Sequence, residues 1–199
     1  MNGLMDMISS QLDAGTLDKL AGQFGGDKDK LQAAVGAAIP AIVVAMNRNA
    51  GNTQGAEALN RALEKHDGGV LDNLSDMISG NVDGMMGEGK KILGHLFGAK
   101  QETVAVQLGQ ATGLGDKTGD LLAMLAPVVM GALGKVKRQT GMGVEDLSRV
   151  LDREAASIQK QTPELGMLEK LLDSDGDGDV DMGDLLSRGS SLLGSFFKR

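Results

Sequence analysis

Two short segments constrain this chain more than anything else in it. Ala38 to Met46 reads A-I-P-A-I-V-V-A-M, and Leu125 to Leu133 reads L-A-P-V-V-M-G-A-L. Both are apolar in every direction around a helical wheel, the pattern of a helix enclosed by protein on all sides. Each therefore predicts a buried central helix. Each also holds a proline, Pro40 or Pro127, which removes one N–H donor and crowds the carbonyl four residues back. The chain must kink there or begin a new helix. The apolar run continues past both prolines, which favours the kink.

The match between the two segments extends along the chain. Gly55, Leu59 and Leu63 correspond to Gly143, Leu147 and Leu151. Gly89 to Phe97, G-K-K-I-L-G-H-L-F, corresponds to Gly189 to Phe197, G-S-S-L-L-G-S-F-F. The landmarks keep the same order, so an internal duplication is expected. One helical repeat unit covers residues 1–99 and a second covers 100–199, joined near Ala99 to Gln101. Two such units can also close into one compact domain.

The fold class expected is all-α, an internally duplicated multi-helix bundle. Apolar residues recur at three- and four-residue spacing at Leu4, Ile8 and Leu12, at Leu17, Leu20 and Phe24, and at Leu147, Val150 and Leu151. Strand-like alternation is absent. Thr162-Pro163-Glu164 reads as a helix start, with Thr at the cap and Pro in the first turn. The aromatic residues are only Phe24, Phe97, Phe196 and Phe197, so the core must be built from aliphatic side chains and the twelve Met. Thirty Gly without a G-X-Y period suggest helix ends and close helix contacts.

One stretch carries chemistry. Asp173 to Asp184 reads D-S-D-G-D-G-D-V-D-M-G-D. Counted as a twelve-position loop, it places Asp173, Asp175, Asp177, Asp179, Asp181 and Asp184 at positions 1, 3, 5, 7, 9 and 12. Gly178 falls at the sharp turn and Val180 at the core anchor. A Ca²⁺ ion takes six to eight oxygens, and an EF-hand-like loop supplies them from these positions. Six carboxylates this close repel one another unless a cation separates them. Leu168, Leu171 and Leu172 precede the loop, and Leu185 and Leu186 follow it. Asp184 stands where Glu is usual, so its carboxylate must reach further. The pattern resembles dockerin-type loops, which carry Asp there. That resemblance implies ligation by the side chains of Asp173, Asp175, Asp177 and Asp184, by the carbonyl of Asp179, and by Asp181 directly or through water.

Charge narrows the partners. The chain carries a net −7, six of those charges lie in the loop, and the remainder is left at −1. General nucleic-acid binding needs clustered Lys and Arg. The one such cluster, Lys135, Lys137 and Arg138, follows an apolar helix whose C-terminal dipole accounts for it. The absence of Cys excludes disulfide and thiol chemistry. The N-terminal M-N-G-L-M-D-M-I lacks the basic region and long apolar stretch of a signal peptide, so a cytoplasmic location is expected, with export by another route left open. No apolar run is expected to reach the ~18 residues of a membrane span.

Three weaker patterns complete the reading. H-D-G-G-V-L-D-N-L, His66 to Leu74, occupies the place of the Asp loop in the first half, shortened and without the leading Asp pair. It reads as a degenerate loop whose Val70 pairs with Val180 through a short β-bridge. Gly84 to Lys91 nearly spells a phosphate-binding loop, but Lys91 stands where the Mg²⁺-binding hydroxyl belongs. The end segments at Lys90 to Phe97 and Ser191 to Arg199 are short, apolar and basic. They suit docking onto their own or a sister chain, or a membrane surface.

These landmarks together resemble the YidB-like bacterial domain-of-unknown-function family (family 937). The resemblance rests on Pro40, Asn47-Arg48-Asn49, Asp67-Gly68 and Leu71-Asp72-Asn73-Leu74 in the first half, and on Pro127 to Arg138 plus the Asp loop in the second. It implies an all-helical bundle of bacterial origin with no established activity. The expectation is a calcium-binding structural or interaction module, not an enzyme, acting through a protein partner or self-association. The alternatives are a helix-turn-helix-like nucleic-acid binder and a peripheral membrane or secreted effector.

Overall fold

Both proline-bearing segments form long, continuous helices. The computed structural model describes residues 4–66 and 68–161, and among these residues there is no strand. The chain runs through α1 (Leu4–Gln11), α2 (Ala14–Phe24), α3 (Lys28–Asn49), α4 (Thr53–Lys65), a single turn α5 (Gly69–Asp72), α6 (Leu74–Gly80), α7 (Val82–Phe97), α8 (Gln101–Thr112), α9 (Thr118–Thr140) and α10 (Val144–Gln161). Short 3₁₀ turns at Gly98–Lys100 and Gly115–Lys117 lead into α8 and α9. The described chain is thus all-helical, as the periodicity predicts. The helix start at Thr162-Pro163-Glu164 and the segments from Asp173 to Asp184 and from Gly189 to Phe197 lie outside the described residues.

Helix α9 is enclosed on all sides: every residue from Leu121 to Gly134 is buried. Helix α3 buries Leu31, Ala34, Val35, Ala38 through Val43, Ala45 and Met46. The two pack against each other, and α7, α8, α1, α4 and α5 cover the rest of α9. Helices α2, α8 and α10 pack on α3, and α10 also meets α4. One hydrophobic cluster runs from Leu4 to Ile158 and draws on both halves of the sequence. Both α3 and the stretch Gly115–Thr140 are long and apolar enough to cross a membrane by length and composition, with mean hydropathy of 1.4 and 1.5. Glycines and isolated polar residues break the runs without lowering that average much. In this bundle 61% and 78% of the two windows are buried by protein, as in the core helices of a globular fold.

Each proline sits inside its helix, and neither starts a new one. Proline at 127 cannot donate to the carbonyl of Ala123, four residues back. That oxygen would be an unsatisfied acceptor at the centre of the protein. Gly89 of α7 lies directly on it: a Cβ built on Gly89 would overlap the Ala123 oxygen, carbonyl carbon and Cα. The hydrogen standing in for that Cβ therefore points at the carbonyl, the geometry of a weak Cα–H···O contact. Only glycine lets two helix backbones approach this closely.

Side chains fix where the helices begin. Thr16 donates its backbone N–H to Asp13 Oδ1 at 2.8 Å ahead of α2, and Lys30 donates to Asp27 Oδ1 at 3.1 Å ahead of α3. Gly55 does the same to Asn52 Oδ1 at 2.8 Å ahead of α4. Each bond satisfies one of the N–H groups that a first turn leaves open.

Two predictions follow from this geometry. Gly89→Ala forces α7 away from α9 and should cost about 3 kcal/mol or more in urea denaturation, the upper end for an overpacked contact. Gly87→Ala lies on the same helix, where a Cβ meets nothing within 4 Å. It should instead stabilise by up to about 1 kcal/mol through helix propensity. Equal effects of the two would refute the close contact.

The second concerns acid. The backbone N–H of Thr16 holds the Asp13 carboxyl below its ordinary value of 3.8, and that of Lys30 holds Asp27 below the same value. A carboxyl with a depressed folded-state pKa stabilises the fold above its ordinary value, and that contribution is lost as pH falls through the depressed one. Asn at both positions keeps the cap acceptor and removes the titration. Between pH 3.8 and lower values, the melting temperature of the parent protein should therefore fall faster than that of the Asp13→Asn, Asp27→Asn variant.

Candidate functional site

The six-Asp loop that carries the sequence-based metal reading, Asp173, Asp175, Asp177, Asp179, Asp181 and Asp184, lies outside the described residues. Its first-half counterpart is described except at Asp67. Gly68 adopts φ 93, a left-handed conformation natural to glycine, and sits against the Lys135 side chain and the Gly131 carbonyl of α9. The chain then turns helically through α5, with Leu71 donating its N–H to the Gly68 carbonyl at 2.9 Å.

This segment is a clamp on α9. Val70 Cγ1 lies 2.5 Å from where a Cβ would stand on Gly131, and the His66 carbonyl occupies the place of a Cβ on Gly134. Leu71 and Leu74 are buried beside them. The glycines of α9 at 131 and 134 are notches that receive this turn. Val70 is therefore in a helical turn facing α9, and its backbone is not extended as a β-bridge requires. The sequence alone did not separate a turn that docks from a loop that pairs, because Gly, Val and Asp serve both. Val180, the other member of that expected bridge, lies outside the described residues.

Ion pairs surround the clamp. Lys135 Nζ meets Asp72 Oδ1 at 2.9 Å, and Lys137 Nζ, on a side chain only 17% exposed, meets Glu64 Oε1 at 3.9 Å. Two members of the basic cluster thus face carboxylates of α4 and α5, beyond the helix dipole that the sequence suggested. His66 Nδ1 lies 3.5 Å from Glu88 Oε1 on α7, a partner 22 residues away that no local spacing could reveal. His95 is exposed on the same helix. Among the described residues, no three His, Cys, Asp or Glu side chains gather as a metal group.

The near phosphate-loop at Gly84 to Lys91 is the interior of α7. Its N–H groups belong to the helix, and Lys90 pairs with Asp120 of α9 at 3.3 Å. The glycine spacing there records helix packing, not a phosphate cradle.

Beside that pair a groove of about 790 Å³ opens between α7, α8 and the start of α9. Leu93, Ala105, Val106 and Leu122 are the apolar part of its lining, and Gln101, Glu102 and Asp116 are among the polar part. Val106 is 51% exposed, the one exposed large apolar side chain among the described residues. The described lining holds amides, carboxylates and one lysine, and no hydroxyl, thiol or imidazole. It suits contact with an apolar side chain better than nucleophilic chemistry.

Residues 6–136 match the family described as "Bacterial protein of unknown function (DUF937)". The match spans α1 through most of α9 and stops before α10 and the Asp-rich segment. No curated protein and no solved structure matches the chain.

The clamp and its ion pairs should differ in weight. Leu71→Ala removes a buried side chain under α9 and should cost about 2–4 kcal/mol. Asp72→Ala breaks an ion pair whose carboxylate is largely exposed and should cost less than about 1 kcal/mol. Chemical denaturation of the two variants checks the order, and a larger loss for Asp72 would mean that its carboxylate does more than pair with Lys135.

Proposed function

The chain belongs to the DUF937 family of bacterial proteins, and from that premise we propose that it is a calcium-binding, all-helical interaction module built by internal duplication. The single observation that carries the metal reading is the alternation of six Asp carboxylates through Asp173, Asp175, Asp177, Asp179, Asp181 and Asp184, with Gly178 at the turn. As a donor set this fits Ca²⁺ well. It is all oxygen, it is strongly anionic, and it can fill a shell of six to eight ligands. Mg²⁺ demands a strict octahedron and releases its waters reluctantly, so the loop should prefer Ca²⁺. The ion would supply charge neutralisation and order to the segment between Leu172 and Leu185. The module binds a protein partner or a second copy of itself, and the metal acts structurally rather than catalytically.

The duplication finds support in how the helices pack. Helix α2 packs on α3, which follows it, and α8 packs on α9, which follows it. Helices α4 and α10, which come after the central helices, each reach across to the other one: α4 to α9 and α10 to α3. Pro40 and Pro127 fall at matching points of α3 and α9. Within the family, the landmarks around Asn47-Arg48-Asn49 and Leu71-Asp72-Asn73-Leu74 look like those of YidB-like members.

Calorimetric titration tests the metal reading. One saturable Ca²⁺ site is expected, with weaker Mg²⁺ binding, and Asp173→Ala should abolish the signal. A metal that binds only the folded loop adds about 2.7 kcal/mol at a hundredfold excess over Kd, so the melting temperature should fall in chelator. A flat trace at millimolar Ca²⁺ with an unchanged melting temperature would overturn the proposal. If the protein were then retained on DNA or on anionic liposomes, one of those surfaces would replace calcium as its ligand.

A further inference from the structure

We infer that the groove between α7, α8 and the start of α9 is a docking site for a partner peptide that carries apolar and basic side chains together. The inference rests on the reading of the chain as an interaction module, and it adds the surface and the chemistry of the partner.

Val106 supplies the apolar anchor. It is 51% exposed, while every other large apolar side chain among the described residues is at least partly covered. Glu102, Val106 and Gln110 follow one another at four-residue spacing, so they share one face of α8, and all three line the groove. The start of α9 adds little bulk. A Cβ on Gly119 would lie 3.6 Å from that of Ala105, and one on Gly115 would meet no described atom within 4 Å. From Gln101 to Gln110 the α8 wall is about 13 Å long, room for about four extended residues.

Charge selects the occupant. Glu102 and Asp116 are exposed, and among the described residues neither forms an ion pair. The lysines nearest to them in sequence are turned elsewhere. Lys100 is buried, and Lys117 reaches the end of α2, its Nζ 3.0 Å from where a Cβ would stand on Gly25. Lys90, the lysine that lines the groove, is taken by Asp120. The groove therefore keeps surplus negative charge beside apolar surface. The dipoles of α8 and α9 favour carboxylates at their first turns, but they do not call for an exposed valine among them. A lysine or arginine of the partner meets both needs: its charged end complements the rim, and its methylene stem or an aliphatic neighbour covers Val106.

Thiol protection in the full chain tests the proposal. The protein has no native Cys, so Val106→Cys reacts with N-ethylmaleimide without background. That reaction should be fast, and its rate constant should not change with protein concentration. A capped peptide of alternating leucine and lysine should slow it saturably, about tenfold at ten times its Kd. The matching leucine–glutamate peptide should not. Adding Glu102→Gln and Asp116→Asn should remove the protection. Ala156→Cys, exposed on α10, should react at one rate with or without either peptide. Protection by the glutamate peptide, or protection that survives the two carboxamides, would overturn the choice of a basic partner. An unreactive Val106→Cys would overturn it by showing that the chain covers its own groove, and slowing at higher protein concentration by showing that a second copy does. Protection at Ala156→Cys without protection at Val106→Cys would overturn the groove and keep an interaction module that uses another face. Protection at neither would overturn the groove alone, since the wider reading fails separately, on a flat calcium titration.

Discussion

The carbonyl of Ala123 is the point on which this bundle turns. Pro127 leaves it without its helical donor at the most enclosed place in the protein, where an unsatisfied oxygen is costly. The structure resolves this by bringing a glycine of another helix onto it. That contact sets the depth at which α7 meets α9, and so positions Met85, Ile92 and Leu93 in the core. The same helix carries Glu88 and Lys90 to their partners His66 and Asp120. Lys90 and Leu93, which line the groove beside α8, depend on it as well.

The small residues of α9 extend this logic along its length. Gly131 and Gly134 admit the turn around Val70 and the His66 backbone. With almost no aromatic residues available, the core gains contact by letting backbones close in where other proteins insert rings. Such interfaces depend on the absence of atoms, so they tolerate additions poorly and are specific for that reason.

The central helices were legible in the sequence because a segment apolar on all sides has few other uses. Helices α1, α2 and α10 were legible from spacing. What the sequence hid were relations between distant residues. The run from Gly84 to Lys91 has a glycine spacing that serves a phosphate loop or a helix seam equally well, and only Ala123 decides between them. The turn at Gly68 to Asp72 offers the same ambiguity, because Val70 can anchor a paired loop or plug a notch, and Gly131 decides. His66 and Glu88 share no local pattern at all. The Asp-rich segment is a different case: it lies outside the described residues, and its reading rests on local spacing alone.

The crossing of α4 and α10 onto each other's central helices has a consequence in time. Helix α3 is complete once Asn49 has been made, yet one of the helices that cover it, α10, ends more than a hundred residues later. At bacterial rates of synthesis that gap is on the order of 5–20 s. For that interval an apolar helix of 22 residues emerges without its final cover. The packing of α3 is therefore completed only after most of the described chain has been made.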